Sequence, residues 1–326
     1  MYSCFDKFCH TYWLLAIGYW LINEETNQRA RTLKTVTVFR EIDPSARVAS
    51  SATIGPYCVV GPHVTIGPDT VLQRRACVIG HTIIGQGNVI GEGCVLGAIP
   101  QDLKYAGGVT LLVIGHRNRF GRNVTAHIGT ESGGYLTRIG DGNLLKDGCH
   151  VGHDSFIDDR ATLGSQVLLA GHIRVHEGAV LEDLSAVLQF CTIGQYARVG
   201  RRVPVRRDVP PYTNFGCRDD DPTTPEVLGI HEAGIAAAKR LNAEDKKELR
   251  RALADLFDNE AALATKIEQL VNLGVDGEVA ALCDFCKRSL QGTYGRHREM
   301  YRGIVPPEVE QFIPTEWKTI IRRAKT

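Results

Sequence analysis

The 326-residue chain lacks three features that would assign it at once to a broad class. Its formal net charge is only +1, which excludes a general attraction to nucleic acid or to a membrane surface. Its apolar run at residues 13–22 is too short to cross a bilayer, and no small-residue cleavage site follows it. The CxxC formed by Cys283 and Cys286 has no second pair, which argues against a zinc or redox site. We expect no nucleic-acid partner and no stable membrane insertion.

What the chain has instead is an aliphatic residue at almost every sixth position. One run extends from Ile42 to Leu96, and a second run, in a new phase, extends from Ile139 to Val205. A six-residue period suits neither an isolated helix nor an ordinary amphipathic strand. It is typical of a parallel β-helix, in which three short strands make one triangular coil. The sequence therefore predicts a mostly β protein built on hexapeptide repeats, whose stacked coils share one continuous core.

Small or slim side chains recur two residues before these aliphatic positions, where we expect the tight inner corners of the coil. Four of the ten cysteines occupy this slot, and there a thiol serves as a compact apolar filler. They are Cys58, Cys94, Cys149 and Cys191. A reducing, cytoplasmic environment suits the whole set of cysteines.

Changes in pattern divide the chain into four parts. They are an N-terminal extension of unclear role at 1–40, a β-helix at 41–212, an α-helical domain at 213–292 and a basic tail at 293–326. In the α-helical domain the apolar spacing predicts helices at 226–241, from a cap at Asn242 to Phe257, at 260–273 and at 276–290.

The repeat is interrupted twice, at residues 97–112 and 128–138. Loops that leave a repetitive scaffold usually carry function, so we expect the site to lie beside these two segments.

Residues eighteen apart lie above one another if three hexads make a coil, separated by the inter-strand spacing of about 4.8 Å. This geometry places His153, Gly171 and Gln189 in one column and Asp154 and His172 in the next. A general base needs a neighbour that fixes its tautomer, and acyl transfer needs an N–H donor at the developing oxyanion. The two columns supply both kinds of group.

His127 and His150 lie on the same coils as this cluster or on the coil before it. A lone histidine at a coil corner would ordinarily be a surface turn residue, but the clustering favours a functional role. Several histidines could also bind a metal. Because their spacing leaves no clear set of three convergent ligands and no cysteine joins them, we expect no metal.

Several motifs, in the same order along the chain, resemble those of the UDP-N-acetylglucosamine acyltransferase family, the first enzymes of lipid A synthesis. They are QDLKYAG at 101–107, HVGHD at 150–154, LAGH at 169–172, QFC at 189–191 and DVPPY at 208–212. The similarity extends from about residue 42 to about residue 290 and includes CDFCKRS at 283–289. It implies a left-handed β-helix, a homotrimer with active sites between subunits, and no cofactor.

The resemblance also implies roles for individual residues. His153 would be the general base that takes the proton from the sugar 3-hydroxyl, Asp154 would orient its imidazole, and the Gly171 N–H would stabilise the oxyanion formed from an acyl carrier protein thioester. The residues implied in substrate binding are Asp102, Lys104, His127, His150, His172, Gln189 and Arg201.

The chain departs from the family at three places. Leu188 stands where the family usually has histidine, and Arg201 stands where long-chain members have glycine at the base of the acyl groove, which favours a shorter acyl chain. The family's paired arginines have only Lys239 and Arg240 as a counterpart. A related hexapeptide acyltransferase therefore stays open as an alternative, one that acylates a hydroxyl or amine of another nucleotide sugar or uses acyl-coenzyme A. A non-catalytic β-helix that binds a partner is a third hypothesis.

A basic run follows the last predicted coils. It consists of Arg201, Arg202, Arg206 and Arg207. Such a run is either a solvated edge or a docking patch for acyl carrier protein, which is strongly acidic.

Overall fold

A computed structural model describes residues 39–258 and 261–292. The predicted basic tail, the apolar run at 13–22 and nearly all of the N-terminal extension lie outside the described residues. In the part of the chain that is described, no helix has the length and apolar character needed to cross a membrane.

The described strands form three stacked sheets and pair in parallel, apart from one antiparallel pair at the end of the third sheet, which confirms the predicted left-handed parallel β-helix. Sheet 1 comprises β1 (Glu41–Ile42), β4 (Val59–Val60), β7 (Cys77–Val78), β10 (Val95–Ala98), β13 (Thr125–His127), β16 (His150–Val151), β19 (Leu168–Leu169), β22 (Ala186–Val187) and β25 (Pro204–Val205). Sheet 2 comprises β2 (Arg47–Val48), β5 (Thr65–Ile66), β8 (His81–Ile84), β11 (Leu111–Ile114), β14 (Leu136–Ile139), β17 (Phe156–Ile157), β20 (Arg174–Val175) and β23 (Thr192–Ile193). Sheet 3 comprises β3 (Thr53–Ile54), β6 (Val71–Leu72), β9 (Val89–Ile90), β12 (Arg119–Phe120), β15 (Leu144–Leu145), β18 (Thr162–Leu163), β21 (Val180–Leu181), β24 (Arg198–Val199), β26 (Thr213–Gly216) and β27 (Glu226–Ile230).

The six-residue period determines which side chains form the core. In a typical coil the second residue of each strand points inward, and Val60, Ile66 and Leu72 are each only 1% exposed. The strands pair in the predicted register: His150 lies over Leu168, which lies over Ala186. One coil therefore spans eighteen residues wherever no loop is inserted.

The small residues fill the inner corners as predicted. Cys94 and Cys149 are fully buried, and their thiols contact the carbonyl oxygens of Gly121 and Gly164 at 3.0 and 2.9 Å. Burial raises the pKa of each of these two thiols to about 11, so both remain protonated at neutral pH.

Both interruptions of the repeat leave the β-helix along one edge. The loop at 99–110 connects β10 to β11, and the loop at 128–135 connects β13 to β14. Each loop therefore passes from sheet 1 to sheet 2, and we call this corner of the prism the loop edge. His153 lies on the same edge, between β16 and β17.

The predicted helix at 226–241 is wrong. Residues Glu226–Ile230 form β27, and only Glu232–Ala237 are helical, as α1. The parallel ladder continues past the predicted boundary at residue 212, because β26 pairs with β24. The free side of β26 offers unpaired backbone groups, and β27 satisfies them by antiparallel pairing.

The three later helices confirm the sequence prediction to within a few residues. They are α2 (Ala243–Leu256), α3 (Leu263–Asn272) and α4 (Gly277–Leu290). Asn242 caps α2, since its side chain accepts from the Asp245 N–H at 2.9 Å and the Asp245 carboxylate accepts from the Asn242 N–H at 2.9 Å. Their apolar faces form a second core on which Tyr212 is completely buried.

The CxxC lies on the buried face of α4. Cys283 and Cys286 are 1% and 2% exposed, and burial raises the pKa of both thiols, that of Cys286 to about 12. Because a redox or metal-binding cysteine needs an accessible thiolate, this environment favours packing.

The alternation within one strand generates a stability prediction. Leu145 is fully buried in the β-helix core, whereas its neighbour Leu144 is 37% exposed. We expect Leu145→Ala to lower the free energy of unfolding by about 2–5 kcal/mol, because it leaves a cavity, and Leu144→Ala to lower it by less than about 1 kcal/mol. Chemical denaturation of both variants measures this, and equal losses would contradict the assigned core.

Candidate functional site

The loop edge holds a histidine and a carboxylate in direct contact. His153 Nδ1 lies 2.8 Å from Asp154 Oδ2. The His153 side chain is 11% exposed and the Asp154 side chain is fully buried. Since a carboxylate accepts, the proton of the neutral ring belongs on Nδ1, which leaves Nε2 as the proton acceptor.

Gly171 lies directly against this ring, as the eighteen-residue column predicts. A Cβ on Gly171 would come within 2.6 Å of His153 Nε2 and 2.5 Å of Cε1, so a larger residue would displace the imidazole. The coils are held in this register by the His172 N–H, which donates to the His153 carbonyl at 2.9 Å. Among the described residues, no partner is found for the Gly171 N–H.

His172 closes the next layer of the edge. Its ring stacks on Phe190, with centroids 4.6 Å apart, and meets the His153 ring edge-on at 5.1 Å. His172 Nε2 lies 3.8 Å from Asp154 Oδ2. Gln189, beside Phe190, is exposed and completes the predicted column.

His127 and His150 form a second histidine pair below the first. Their rings meet edge-on with centroids 5.1 Å apart. His127 Nδ1 donates to the Ile99 carbonyl at 2.6 Å, and His150 Nδ1 lies 2.8 Å from Thr125 Oγ1. Burial, the largest cause, lowers the pKa of both imidazoles, so both are neutral at physiological pH.

The loop at 99–110 brings a carboxylate to the histidines. Asp102, His153 and His172 each offer a ligand atom, and these atoms lie within 4.8 Å of one another. The histidine spacing alone could not reveal this third group, because repeat spacing cannot place a loop residue, and the absence of a metal stays an expectation. Asp102 also accepts from the Lys104 N–H at 2.9 Å, and the Lys104 side chain is exposed.

Arg201 does not join this cluster within one chain. It lies between β24 and β25, at the corner where sheet 3 meets sheet 1, whereas the histidines lie where sheet 1 meets sheet 2. A single site containing both Arg201 and His153 therefore requires two chains.

Arg240 is hydrogen-bonded to side chains of the last coils and of α4. Its guanidinium donates to Gln195 Oε1 at 2.8 Å and to Glu278 Oε1 at 3.0 Å, and lies 3.3 Å from Tyr212 Oη. These contacts join the last coils to α4. Nη2 makes all of these contacts, so they engage only part of the guanidinium.

Sequence reasoning missed Thr130, in the second inserted loop. Its N–H donates to Asp154 Oδ1 at 2.8 Å and its hydroxyl to Asp154 Oδ2 at 2.7 Å. The only signal in the sequence was the interruption of the repeat at this point, because a threonine carries no catalytic pattern of its own.

The arrangement combines a histidine, a carboxylate in contact with its Nδ1 and a glycine packed against the ring, on a stack of hexapeptide coils. These are the elements that acyl transfer needs, and they define the class of hexapeptide-repeat acyltransferases.

Comparison with known proteins identifies the family, although no protein-family model matches the chain. The acyl-(acyl-carrier-protein)-UDP-N-acetylglucosamine O-acyltransferase of Anaeromyxobacter sp. (strain Fw109-5) is 40% identical over 214 residues, which are 65% of this chain and 81% of the relative. The enzyme of the same name from Nautilia profundicola is 32% identical over 209 residues, 64% of this chain and 78% of the relative. The chain belongs to this O-acyltransferase family.

Solved structures of the same family share the fold of this chain. LpxA from Acinetobacter baumannii is 33% identical, with a TM-score of 0.71 over 79% of this chain and 96% of the other. UDP-N-acetylglucosamine O-acyltransferase from Moraxella catarrhalis RH4 is 34% identical, also with a TM-score of 0.71, over 77% of this chain and 95% of the other. The shared fold includes most of the described residues.

The pair of His127 and His150 generates a prediction about pH. We expect His127 and His150 to titrate below their ordinary pKa of about 6.5, because burial disfavours the imidazolium. The unfolded chain then binds more protons, so the contribution of these residues to stability is complete above about pH 6.5 and falls as the pH is lowered. Titration of the ring resonances by NMR measures the midpoints. Midpoints at or above 6.5 would contradict the assignment.

Proposed function

We propose that this chain transfers an acyl group from an acyl carrier protein thioester to the 3-hydroxyl of UDP-N-acetylglucosamine, the first step of lipid A synthesis. Membership of the family supports the substrates. The observation that carries the chemistry is the 2.8 Å contact between His153 Nδ1 and Asp154, beside the N–H of Gly171. The proposal keeps the cytoplasmic location expected from the sequence.

The mechanism follows from these three groups. His153 Nε2 takes the proton of the sugar 3-hydroxyl as its oxygen bonds to the thioester carbonyl carbon. The Gly171 N–H stabilises the resulting tetrahedral oxyanion, a contribution of about 3 kcal/mol in comparable sites. The intermediate then collapses, the carbon–sulfur bond breaks, and the His153 imidazolium returns its proton to the departing thiolate. Asp154 stabilises the imidazolium throughout.

The other residues of the edge suit substrate binding. We propose that Asp102 and Lys104 position the sugar and phosphate from the loop at 99–110. His127 and His150 act as neutral hydrogen-bonding groups, in keeping with their lowered pKa. His172 lines the acyl site and Gln189 contacts the nucleotide.

A homotrimer is part of the proposal. After Glu41, the outward-facing row of sheet 1 carries no charged side chain, because burial lowers the pKa of His150, its one titratable histidine, and keeps it neutral. Its members are Val59, Cys77, Val95, Thr125, His150, Leu168, Ala186 and Pro204. A row of this kind suits burial against another subunit. Such packing would also allow Arg201 of one subunit to approach the loop edge of the next.

Acyl carrier protein is the proposed protein partner. The loop edge ends at Arg206 and Arg207, which follow β25 on the same corner of the prism as His153. Both side chains are exposed, but Arg207 donates to the Pro225 carbonyl at 2.8 Å. Of the two, Arg206 is the better placed to steer an acidic partner.

The direct test offers purified protein a panel of acyl carrier protein thioesters, acyl-coenzyme A and nucleotide sugars, with products identified by mass spectrometry. We expect a 3-O-acyl product from UDP-N-acetylglucosamine. We expect no turnover by His153→Ala, which loses the base but should keep the molecular mass of a trimer in solution. Transfer to an amine or to another sugar would favour the related-transferase alternative, which Leu188 and the engaged Arg240 keep open. No transfer at all would refute the proposal and favour a binding protein.

Charge reversal tests the partner. We expect Arg206→Glu to raise the KM for acyl carrier protein thioester roughly fivefold, because an exposed ion pair is worth about 1 kcal/mol, and to leave turnover of a small thioester mimic unchanged. Arg119→Glu, on the outer row of sheet 3, is the matched control and should change neither value. An unchanged KM in Arg206→Glu would show that this arginine is not a docking residue.

A further inference from the structure

We propose that Thr130 is a positioning residue for the general base: by holding the Asp154 carboxylate at both oxygens, it fixes the tautomer and direction of the His153 imidazole. The catalytic consequence rests on the function proposed above, whereas the effect on the imidazole does not.

Thr130 donates a hydrogen bond to each oxygen of the Asp154 carboxylate. Its backbone N–H donates to Oδ1 of Asp154 at 2.8 Å and its hydroxyl donates to Oδ2 at 2.7 Å. Thr130 is fully buried, and so is the Asp154 side chain. Water therefore cannot easily replace either bond, and losing one leaves a buried carboxylate partly unsatisfied.

The direction of the hydroxyl proton follows from the carboxylate itself. Thr130 Oγ1 has two further neighbours: the Gly133 N–H, which donates to it at 3.0 Å, and Ser132 Oγ at 3.3 Å. Because the Asp154 carboxylate can only accept and is the nearest partner, at 2.7 Å, the hydroxyl proton is directed to it. Gly133 also packs on the carboxylate, since a Cβ at this position would come within 2.1 Å of Oδ2. The loop at 128–135 is thus a cradle for one side chain.

The cradle matters because Asp154 Oδ2 has two imidazoles within reach. His153 Nδ1 lies at 2.8 Å and His172 Nε2 at 3.8 Å. A carboxylate free to rotate could shift toward His172 and release His153 Nδ1. With Thr130 holding both oxygens, the carboxylate stays on His153 and the Nε2 atom of that ring remains the acceptor.

Two substitutions at residue 130 separate the hydroxyl from the rest of the side chain. We expect Thr130→Val to lower kcat by about 10- to 100-fold with KM nearly unchanged, because the bond to a charged group is lost while the shape is retained. Thr130→Ser keeps the hydroxyl and should restore kcat to within a few fold of the wild type. In an Asp154→Ala background, Thr130→Val should cause no further loss, since its effect passes through that carboxylate.

Thr110→Val is the matched control. Thr110 is also fully buried, at the end of the other inserted loop, but no hydrogen-bond partner for its hydroxyl is found among the described residues. This variant should leave kcat unchanged. An equal loss of kcat in Thr110→Val, or no rescue by Thr130→Ser, would reduce Thr130 to a packing role and overturn the proposal.

An NMR measurement distinguishes failure of this inference from failure of the proposed function. In the wild type, the imidazole nitrogens of His153 should show the Nδ1-protonated tautomer, and Thr130→Val should shift this ring toward a mixture of tautomers. If the wild type transfers no acyl group but the shift occurs, the positioning role of Thr130 is supported and the proposed function is refuted. If the shift is absent from a folded Thr130→Val protein, the cradle is refuted whatever the activity.

Discussion

The pairing of each coil with the coil eighteen residues further on is the constraint on which the structure depends. Each strand is only a few residues long and could not persist alone, so its backbone hydrogen bonds must be satisfied by the coils above and below. The same pairing fixes every side chain to a column. His153 meets Gly171 because Val151 pairs with Leu169, and the chemistry of the edge inherits the regularity of the backbone.

The departures from that regularity supply what the columns cannot. Both inserted loops leave at the corner between sheet 1 and sheet 2, so their residues return to the edge that carries His153. One loop places Asp102 next to His153 and His172, and the other loop binds the Asp154 carboxylate through Thr130. The repeat thus provides a rigid column of groups, and the insertions complete and orient it.

The sequence predicts best where a single period controls the structure. The three-sheet prism, the cysteine-filled corners and the column of His153, Gly171 and Gln189 all follow from a count of residues. Prediction fails where a segment is governed by a distant partner. Residues 226–230 have a plausible helical pattern, yet they form a strand, because they supply hydrogen-bond partners for the backbone groups on the free side of β26.

The amino-acid sequence alone determined the fold, the class of acyltransferase and the stacking of His153 on Gly171, because these depend on spacing and on motifs of adjacent residues. Only the tertiary structure decided that Asp102 reaches the histidines, that Thr130 holds Asp154, that Arg240 is engaged with Glu278, and that Arg201 lies on another corner. The physical reason is that loop closure and contacts between distant segments have no period along the chain. They are selected by burial and hydrogen bonding after the coils have stacked.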